Sequence, residues 1–250
     1  MKKIVLVSCL LAANLFAMSG LEIAKKSDVA VSGFESSVST MQMVMINSAG
    51  QKTVRDMKGA TLEKEDGDKM LMEFLSPADV KGTKLLTYQH VDKDDDQWLY
   101  LPALKRIKRI SGRNKTGSFM GSEFSYEDIS SQEVEKYTYP GEVKEVPCGD
   151  KTCYKGVRIP KNRLSGYSKQ ITWVDKDTFL VQKVEYYDRK KSLLKTAIFS
   201  DYKKIDGVWR VGKIDMKNHQ NDKETLLIWV DDKVKAGLTD KHFSKRVLKQ

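Results

Sequence analysis

Histidine is scarce: His90, His219 and His242 are the whole complement. They lie far apart in sequence, and none forms the close pair that a zinc site or a base-assisted nucleophile draws on. Each reads as a surface or strand residue. Cysteine is equally rare, with three in 250 residues, so a four-thiolate metal site is excluded. Beyond the first 20 residues no apolar stretch approaches the roughly 20 residues of a spanning helix, and the mature chain is expected to be soluble. Internal repeats and low-complexity linkers are also missing. One domain over residues 20–250 is expected.

Familiar catalytic and metal motifs fail on inspection. Gly117-Ser118-Phe119-Met120-Gly121 spaces its glycines as a nucleophile elbow does, but the serine stands one place early and no strand-turn-helix context surrounds it. Asp92 to Asp96, broken by Lys93, could offer oxygens to a divalent cation, yet lacks the glycine and terminal glutamate of an EF-hand. An exposed hairpin tip is the plainer reading. No enzyme, cofactor or metal is expected.

What is present begins with a leader. Lys2 and Lys3 precede an apolar run from Ile4 to Phe16 that ends in small residues at Ala17, Ser19 and Gly20, the pattern of a secretory signal peptide. Residues 1–19 are read as that signal, cleaved after Ala17 or Ser19, which directs the protein to the periplasm. Leu6-Val7-Ser8-Cys9 also resembles a lipoprotein cleavage site, but a cut there leaves too short an apolar core. Lipidation at Cys9 stands as the alternative.

Export leaves Cys148 and Cys153, in the turn Pro-Cys-Gly-Asp-Lys-Thr-Cys. An oxidising compartment should join them as a disulfide, contributing roughly 2 kcal/mol for so short a loop. A redox or metal pair is the rival reading. The formal charge is +10, and Lys2 and Lys3 leave with the signal, so the exported form carries +8. Such a balance suits anionic head groups or an acidic partner. Nucleic acid is not expected as a partner outside the cytoplasm.

Leu21 to Phe34 reads as an amphipathic helix ending near Gly33, with Leu21, Ile23, Ala24 and Val29 near helical spacing. From Ser37 onward the dominant period is two. Strands are expected over 52–63, 69–75, 83–91, 97–101, 106–111, 133–139, 154–160, 169–174, 180–187, 193–202, 209–217 and 225–230. Turn signals such as Glu65-Asp66-Gly67-Asp68 and Asp206-Gly207 separate them. Many strands without long intervening helices imply one curved antiparallel sheet, a barrel or half-barrel. Ser118 to Ile129, where Phe119, Met120, Phe124 and Tyr126 crowd between glycines, suits a short helix across the sheet mouth. A helical turn is expected over Thr239 to Leu248, its charges matching the helix dipole.

Several strands pair an apolar face with a polar one. Met41, Met43 and Met45, then Met70, Met72 and Phe74, then Leu86 and Tyr88, then Trp98 and Tyr100 form same-face sets. Aligned, they would make one wide apolar floor, with Phe119, Met120 and Phe124 beside it as further lipid contacts. An ordinary closed core is the bland reading. Methionine in such number on strands suits guests of variable shape, and a sheet with too few helices to cover it invites an acyl chain. Each buried methylene is worth about 0.8 kcal/mol, so a 16-carbon chain offers roughly 12 kcal/mol gross. On this reading Met43→Asp or Met72→Asp removes lipid binding from a protein that still folds.

Lys105, Arg106, Lys108 and Arg109, followed by Arg113 and Lys115, form the densest basic cluster. It is read either as a head-group or partner contact or as an edge strand guarded against aggregation.

Three blocks carry a resemblance: 74–83 (Phe-Leu-Ser-Pro-Ala-Asp-Val-Lys-Gly-Thr), 95–106 (Asp-Asp-Gln-Trp-Leu-Tyr-Leu-Pro-Ala-Leu-Lys-Arg) and 114–129, including Phe119-Met120-Gly121-Ser122-Glu123-Phe124. In this order they resemble the LolA-like family of outer-membrane lipoprotein-sorting proteins. The resemblance implies an unclosed antiparallel β-barrel with helices in its mouth and an apolar cavity for acyl chains. It also implies a monomeric periplasmic carrier of lipid or lipoprotein, or an accessory subunit docking to an inner-membrane permease of the resistance-nodulation-division (RND) superfamily.

Overall fold

The computed structural model describes residues 18–130 and 133–250. The leader and Cys9 lie outside the described residues. The first element is α1 (Gly20–Val31), whose start is set by a capping box: Glu22 N donates to Ser19 Oγ at 3.3 Å and Ser19 N donates to Glu22 Oε2 at 2.8 Å. The helix ends before Gly33 and Glu35, both at positive φ (90° and 57°).

Among the described residues sixteen strands follow. The first half holds β1 (Ser36–Ile46), β2 (Lys52–Leu62), β3 (Lys69–Phe74), β4 (Lys84–Tyr88), β5 (Asp96–Leu101) and β6 (Arg106–Ile110). Then come β7 (Tyr137–Thr138), β8 (Lys144–Cys148), β9 (Lys151–Pro160), β10 (Tyr167–Asp175), β11 (Val181–Asp188) and β12 (Leu193–Ser200). The last are β13 (Lys203–Ile205), β14 (Val208–Arg210), β15 (Lys213–Asn218) and β16 (Glu224–Val234).

All but β13 and β14 join one sheet in the order β6-β5-β4-β3-β2-β1-β16-β15-β12-β11-β10-β9-β7, with β8 also on β9. Every pairing is antiparallel and the sheet does not close into a barrel. Its two halves meet where β1 pairs with β16, so the start and end of the strand region lie side by side. At the tip of the β8–β9 hairpin Cys148 and Cys153 form the disulfide.

Strand periodicity located most elements, with instructive exceptions. The strand expected over 209–217 is broken at Gly212, where a Cβ would lie 2.3 Å from the Asp201 carbonyl oxygen. Within 133–139, Val134–Lys136 form a 3-10 turn and only Tyr137 and Thr138 are strand. Strands β8 and β13 are additional to those expected.

The helix expected over 118–129 is not one. Met120 (φ 52°) and Gly121 (φ 80°) are consecutive left-handed residues and Ser122 N donates to Phe119 O, so the chain reverses in a tight turn of the mirror-image type. Phe119 N donates to Phe124 O and Tyr126 N to Gly117 O, zipping the segment into an irregular hairpin. The C-terminal expectation fares better, as two 3-10 turns, Asp240–Phe243 and Lys245–Lys249.

The sheet has two differently covered faces. On the inner face, strands from both halves converge on one cluster that includes Met43, Met57, Phe74, Leu85, Leu99, Tyr186, Ala197 and Met216, together with Phe119, Phe124 and Tyr126 of the hairpin. Residues 117–129 thus plug the curve of the sheet. On the outer face Leu86 and Trp98 pack under Phe243 and Leu248, so the C-terminal segment covers β3 to β5 from behind.

This arrangement corrects the expected single floor. Met41, Met43, Met45, Met70, Met72, Phe74, Phe119, Met120 and Phe124 belong to the inner cluster, whereas Leu86, Tyr88, Trp98 and Tyr100 belong to the outer one. The pairing Met72–Leu85–Leu99 runs across the inner face and Leu71–Leu86–Trp98 across the outer. Strands β4 and β5 are apolar on both sides, so alternation alone could not say which side faced Met72. Met43 is fully buried, and an aspartate there would lack water and a partner. Met43→Asp is therefore expected to unfold the protein rather than to leave it folded.

Candidate functional site: an apolar pocket beneath the N-terminal helix

The inner face of the second half carries a different cover. Val184 and Tyr186 of β11 belong to the inner cluster, and the register Val184–Thr172–Gly156 and Tyr186–Gln170–Arg158 places Gly156, Arg158 and Thr172 on the same face. Over these residues lies α1. Between them is a pocket of about 180 Å³, lined by Ile23, Ala24, Ser27, Asp28 and Val31 of the helix, by Val134, Tyr139 and Val143, and by Tyr154, Gly156, Val174 and Val181 of the sheet.

The pocket is largely apolar, and its shape depends on one glycine. Gly156 stands mid-strand, and a Cβ there would meet Val143 at 3.6 Å, an ordinary contact. No backbone strain demands glycine at this position. What its absent side chain provides is space above the sheet.

Polar groups sit at the margin. Arg158 Nε donates to Gln170 Oε1 at 2.7 Å and its guanidinium lies 4.4 Å from the Tyr137 ring centre. Tyr139 donates to Val134 O at 3.1 Å, and burial pushes its hydroxyl pKa up to about 12. Burial, with Glu135 and Glu63 nearby, also raises the Asp28 carboxyl above its ordinary range.

The plug, by contrast, is held by buried polar contacts. Lys195 and Asp128 pair at 2.5 Å with side chains only 4% and 3% exposed. Tyr167 donates to Asp128 Oδ1 at 2.6 Å, Lys195 Nζ to Glu123 O at 2.9 Å, Gln97 Nε2 to Tyr126 O at 3.1 Å and Arg55 Nη1 to Met120 O at 2.5 Å. Burial raises Glu127 as well, although Ser165 and Gly166 N both donate to it.

A third feature, a polar cleft of about 560 Å³, lies where the ends of the open sheet approach one another. Asp95 pairs with Lys136 and accepts from Ser130 Oγ at 2.6 Å, and Asn162 Nδ2 donates to Asp94 Oδ1 at 2.7 Å. The acidic run 92–96 thus clasps the seam rather than only capping a hairpin, although Asp92 and Asp94 are exposed. Among the described residues no group of three or more His, Cys, Asp or Glu is arranged to hold a metal.

None of the thirteen lipid contacts expected from strand parity lines the pocket beneath α1; all of them are packed core or outer-face residues. The pocket residues escaped that reading because β9 and β10 alternate poorly and the helix supplies half of the wall. Gly156 inside a strand pattern was the available signal. The histidines serve local roles: His90 meets Asp96, His219 meets Thr196 and His242 joins the Thr239 cap. The basic cluster lies on β6, the terminal strand of the sheet, with Arg109 paired to Asp96 at 2.5 Å. No helix among the described residues is long and apolar enough to cross a membrane.

Comparison with known proteins places this geometry. A family profile described as "-like: Uncharacterized protein" matches residues 66–250. No curated protein matches the sequence. Among solved structures, a protein domain named for outer membrane lipoprotein sorting from Vibrio parahaemolyticus is 45% identical, with a TM-score of 0.89 over 92% of this chain and 98% of that one. A DUF1329 family protein from Desulfovibrio piger is 34% identical, with a TM-score of 0.86 over 92% and 97%. A LolA superfamily protein from Nitrosomonas europaea, 20% identical with a TM-score of 0.74 over 92% and 100%, shares the fold. With sequence identity and fold in agreement, the chain belongs to the LolA-like family of outer-membrane lipoprotein-sorting proteins.

Proposed function

We propose that this protein is a periplasmic carrier that takes an acyl chain of a lipid or lipoprotein beneath α1, shields it between envelope membranes, and performs no catalysis. The apolar pocket of about 180 Å³ between α1 and β9–β10 carries the reading. The name of the relative from Vibrio parahaemolyticus, an outer membrane lipoprotein-sorting domain, supports it.

The volume houses part of a chain, and the lid supplies the rest by moving. Ile23 is the only fully covered residue of α1, while Val29 is 72% exposed. The left-handed residues Gly33 and Glu35 bracket its exit. A helix so lightly held lifts at small expense, and hydrocarbon of the guest then replaces what the helix covered.

The test is binding of a fluorescent fatty acid by the purified protein and by Gly156→Leu. A leucine there displaces about four methylenes at about 0.8 kcal/mol each, so affinity should fall roughly a hundredfold while the melting midpoint stays put. Ala24→Phe fills the same space from the helix side and guards against a folding defect in one variant. Wild-type affinity in both folded variants sinks the pocket assignment. Native mass spectra of protein taken from membranes should show a co-purifying acyl species. A bare mass together with capture of an RND-superfamily permease would favour the docking-subunit reading instead.

A further inference from the structure

Three segments distant in sequence meet at one end of the sheet. The register Glu73–Lys84, Lys84–Tyr100 and Leu101–Arg106 brings the β3–β4 loop and the β5–β6 turn to the same end. The C-terminal turn Lys245–Lys249 joins them, because Lys84 Nζ donates to Val247 O at 3.1 Å and Lys245 lies 4.1 Å from the Trp98 ring centre.

Residues 75–84, 102–110 and 245–250 together hold nine cationic side chains and a single carboxylate, Asp79. Lys81, Lys105, Arg106, Lys108, Arg246 and Lys249 are all exposed. Among the described residues none of these six forms an ion pair. Elsewhere the charges mix; β15 and β16, for instance, set Lys213 and Lys217 beside Asp215 and Glu224.

In the midst of these cations Leu104, in the turn Pro102–Leu104, is 62% exposed, and Leu75 in the neighbouring loop is 36% exposed. Lys105 follows in the left-handed conformation (φ 48°), which closes the turn.

We propose that this end of the molecule docks on an anionic bilayer, with Leu104 entering the head-group layer and the surrounding lysines and arginines contacting lipid phosphates. A protein partner fits less well. Leu104 is more than half exposed in its turn, and an exposed leucine among flexible cations matches a deformable anionic interface better than a shaped protein surface. The inference goes beyond the carrier reading and stands without it, since the docking end shares no residue with the pocket beneath α1.

Sedimentation with vesicles tests it, using pure phosphatidylcholine against a mixture with phosphatidylglycerol. The full protein should bind the anionic vesicles, bind neutral ones weakly, and release as salt rises. Each cation near such a surface is worth roughly fivefold in affinity, so the double charge reversal Arg106→Glu/Lys108→Glu should lose more than about a hundredfold. Leu104→Ser should weaken binding severalfold without changing the salt dependence. Gly156→Leu should bind vesicles as the wild type does, which separates a failure here from a failure of the pocket. Equal binding to neutral vesicles, no binding to anionic ones, or full binding by the folded charge-reversal variant would overturn the proposal. So would retention of the wild-type protein by an acidic protein but never by anionic lipid.

Discussion

The two covers of the inner face differ in how they are held. Residues 117–129 are pinned to β2, β5, β10, β12 and β16 by hydrogen bonds and the buried Lys195–Asp128 pair, and their aromatic side chains pack into the inner core. Helix α1 rests on the other half through Ile23 and a cation over the Phe179 ring at 4.9 Å, while at its exit Gly33 N and Glu35 N donate to the Glu63 carboxylate. One cover behaves as core and the other as a lid. On the proposed reading, an unclosed sheet of this kind keeps a rigid half for stability and a yielding half for a guest.

The comparison breaks first at Lys195. Lys195→Met leaves Asp128 buried without its counter-charge, and an uncompensated buried carboxylate costs about 3–5 kcal/mol. Urea unfolding should show that loss as a lower midpoint; a midpoint within error of the wild type would mean that the plug is not held as described.

Ile23→Ala gives the converse. Truncating a buried isoleucine costs about 2 kcal/mol or more, but the loss falls on lid opening rather than on global unfolding. Amide exchange in α1 should quicken by roughly thirtyfold while the urea midpoint barely moves. Equal shifts in both would make α1 part of the core.

The third test uses pH. The Asp68 carboxyl, in the β2–β3 turn, is raised to about 7 by burial first and then by Glu133, Glu63 and Asp28 of α1, against a bond from Lys64 N. A carboxylate whose folded pKa exceeds its unfolded value binds protons more tightly when folded. Stability from this group therefore rises as pH falls from about 7 to about 4 and is lost as pH climbs back through 7. Asp68→Asn should flatten that slope and stabilise the protein at pH 8 by about 2 kcal/mol, allowing for partial solvent screening. A slope unchanged in the variant would assign it to another group.

Much of the architecture was legible in the sequence for a simple reason: half-buried antiparallel strands alternate. Met41-Gln42-Met43 and Met72-Glu73-Phe74 show it, and the turn residues between runs mark where each strand stops. Legibility failed where two-sided burial erased the alternation. Leu85-Leu86 and Trp98-Leu99 are apolar on both faces, because the plug covers one side and the C-terminal segment the other. It failed again at 118–129, where aromatic residues crowded among glycines suggest a helix, although two left-handed residues, Met120 and Gly121, turn the chain instead.

By itself, the sequence determined the strand pattern, the disulfide pair, the basic segment 105–115 and the resemblance that carries the family, since each is a local pattern of residue types. Only the tertiary structure decided which apolar residues are filled core and which enclose space. That difference arises from what lies opposite each strand, the plug across Met43 and the lid across Gly156, and contacts between distant segments leave no periodic trace along the chain.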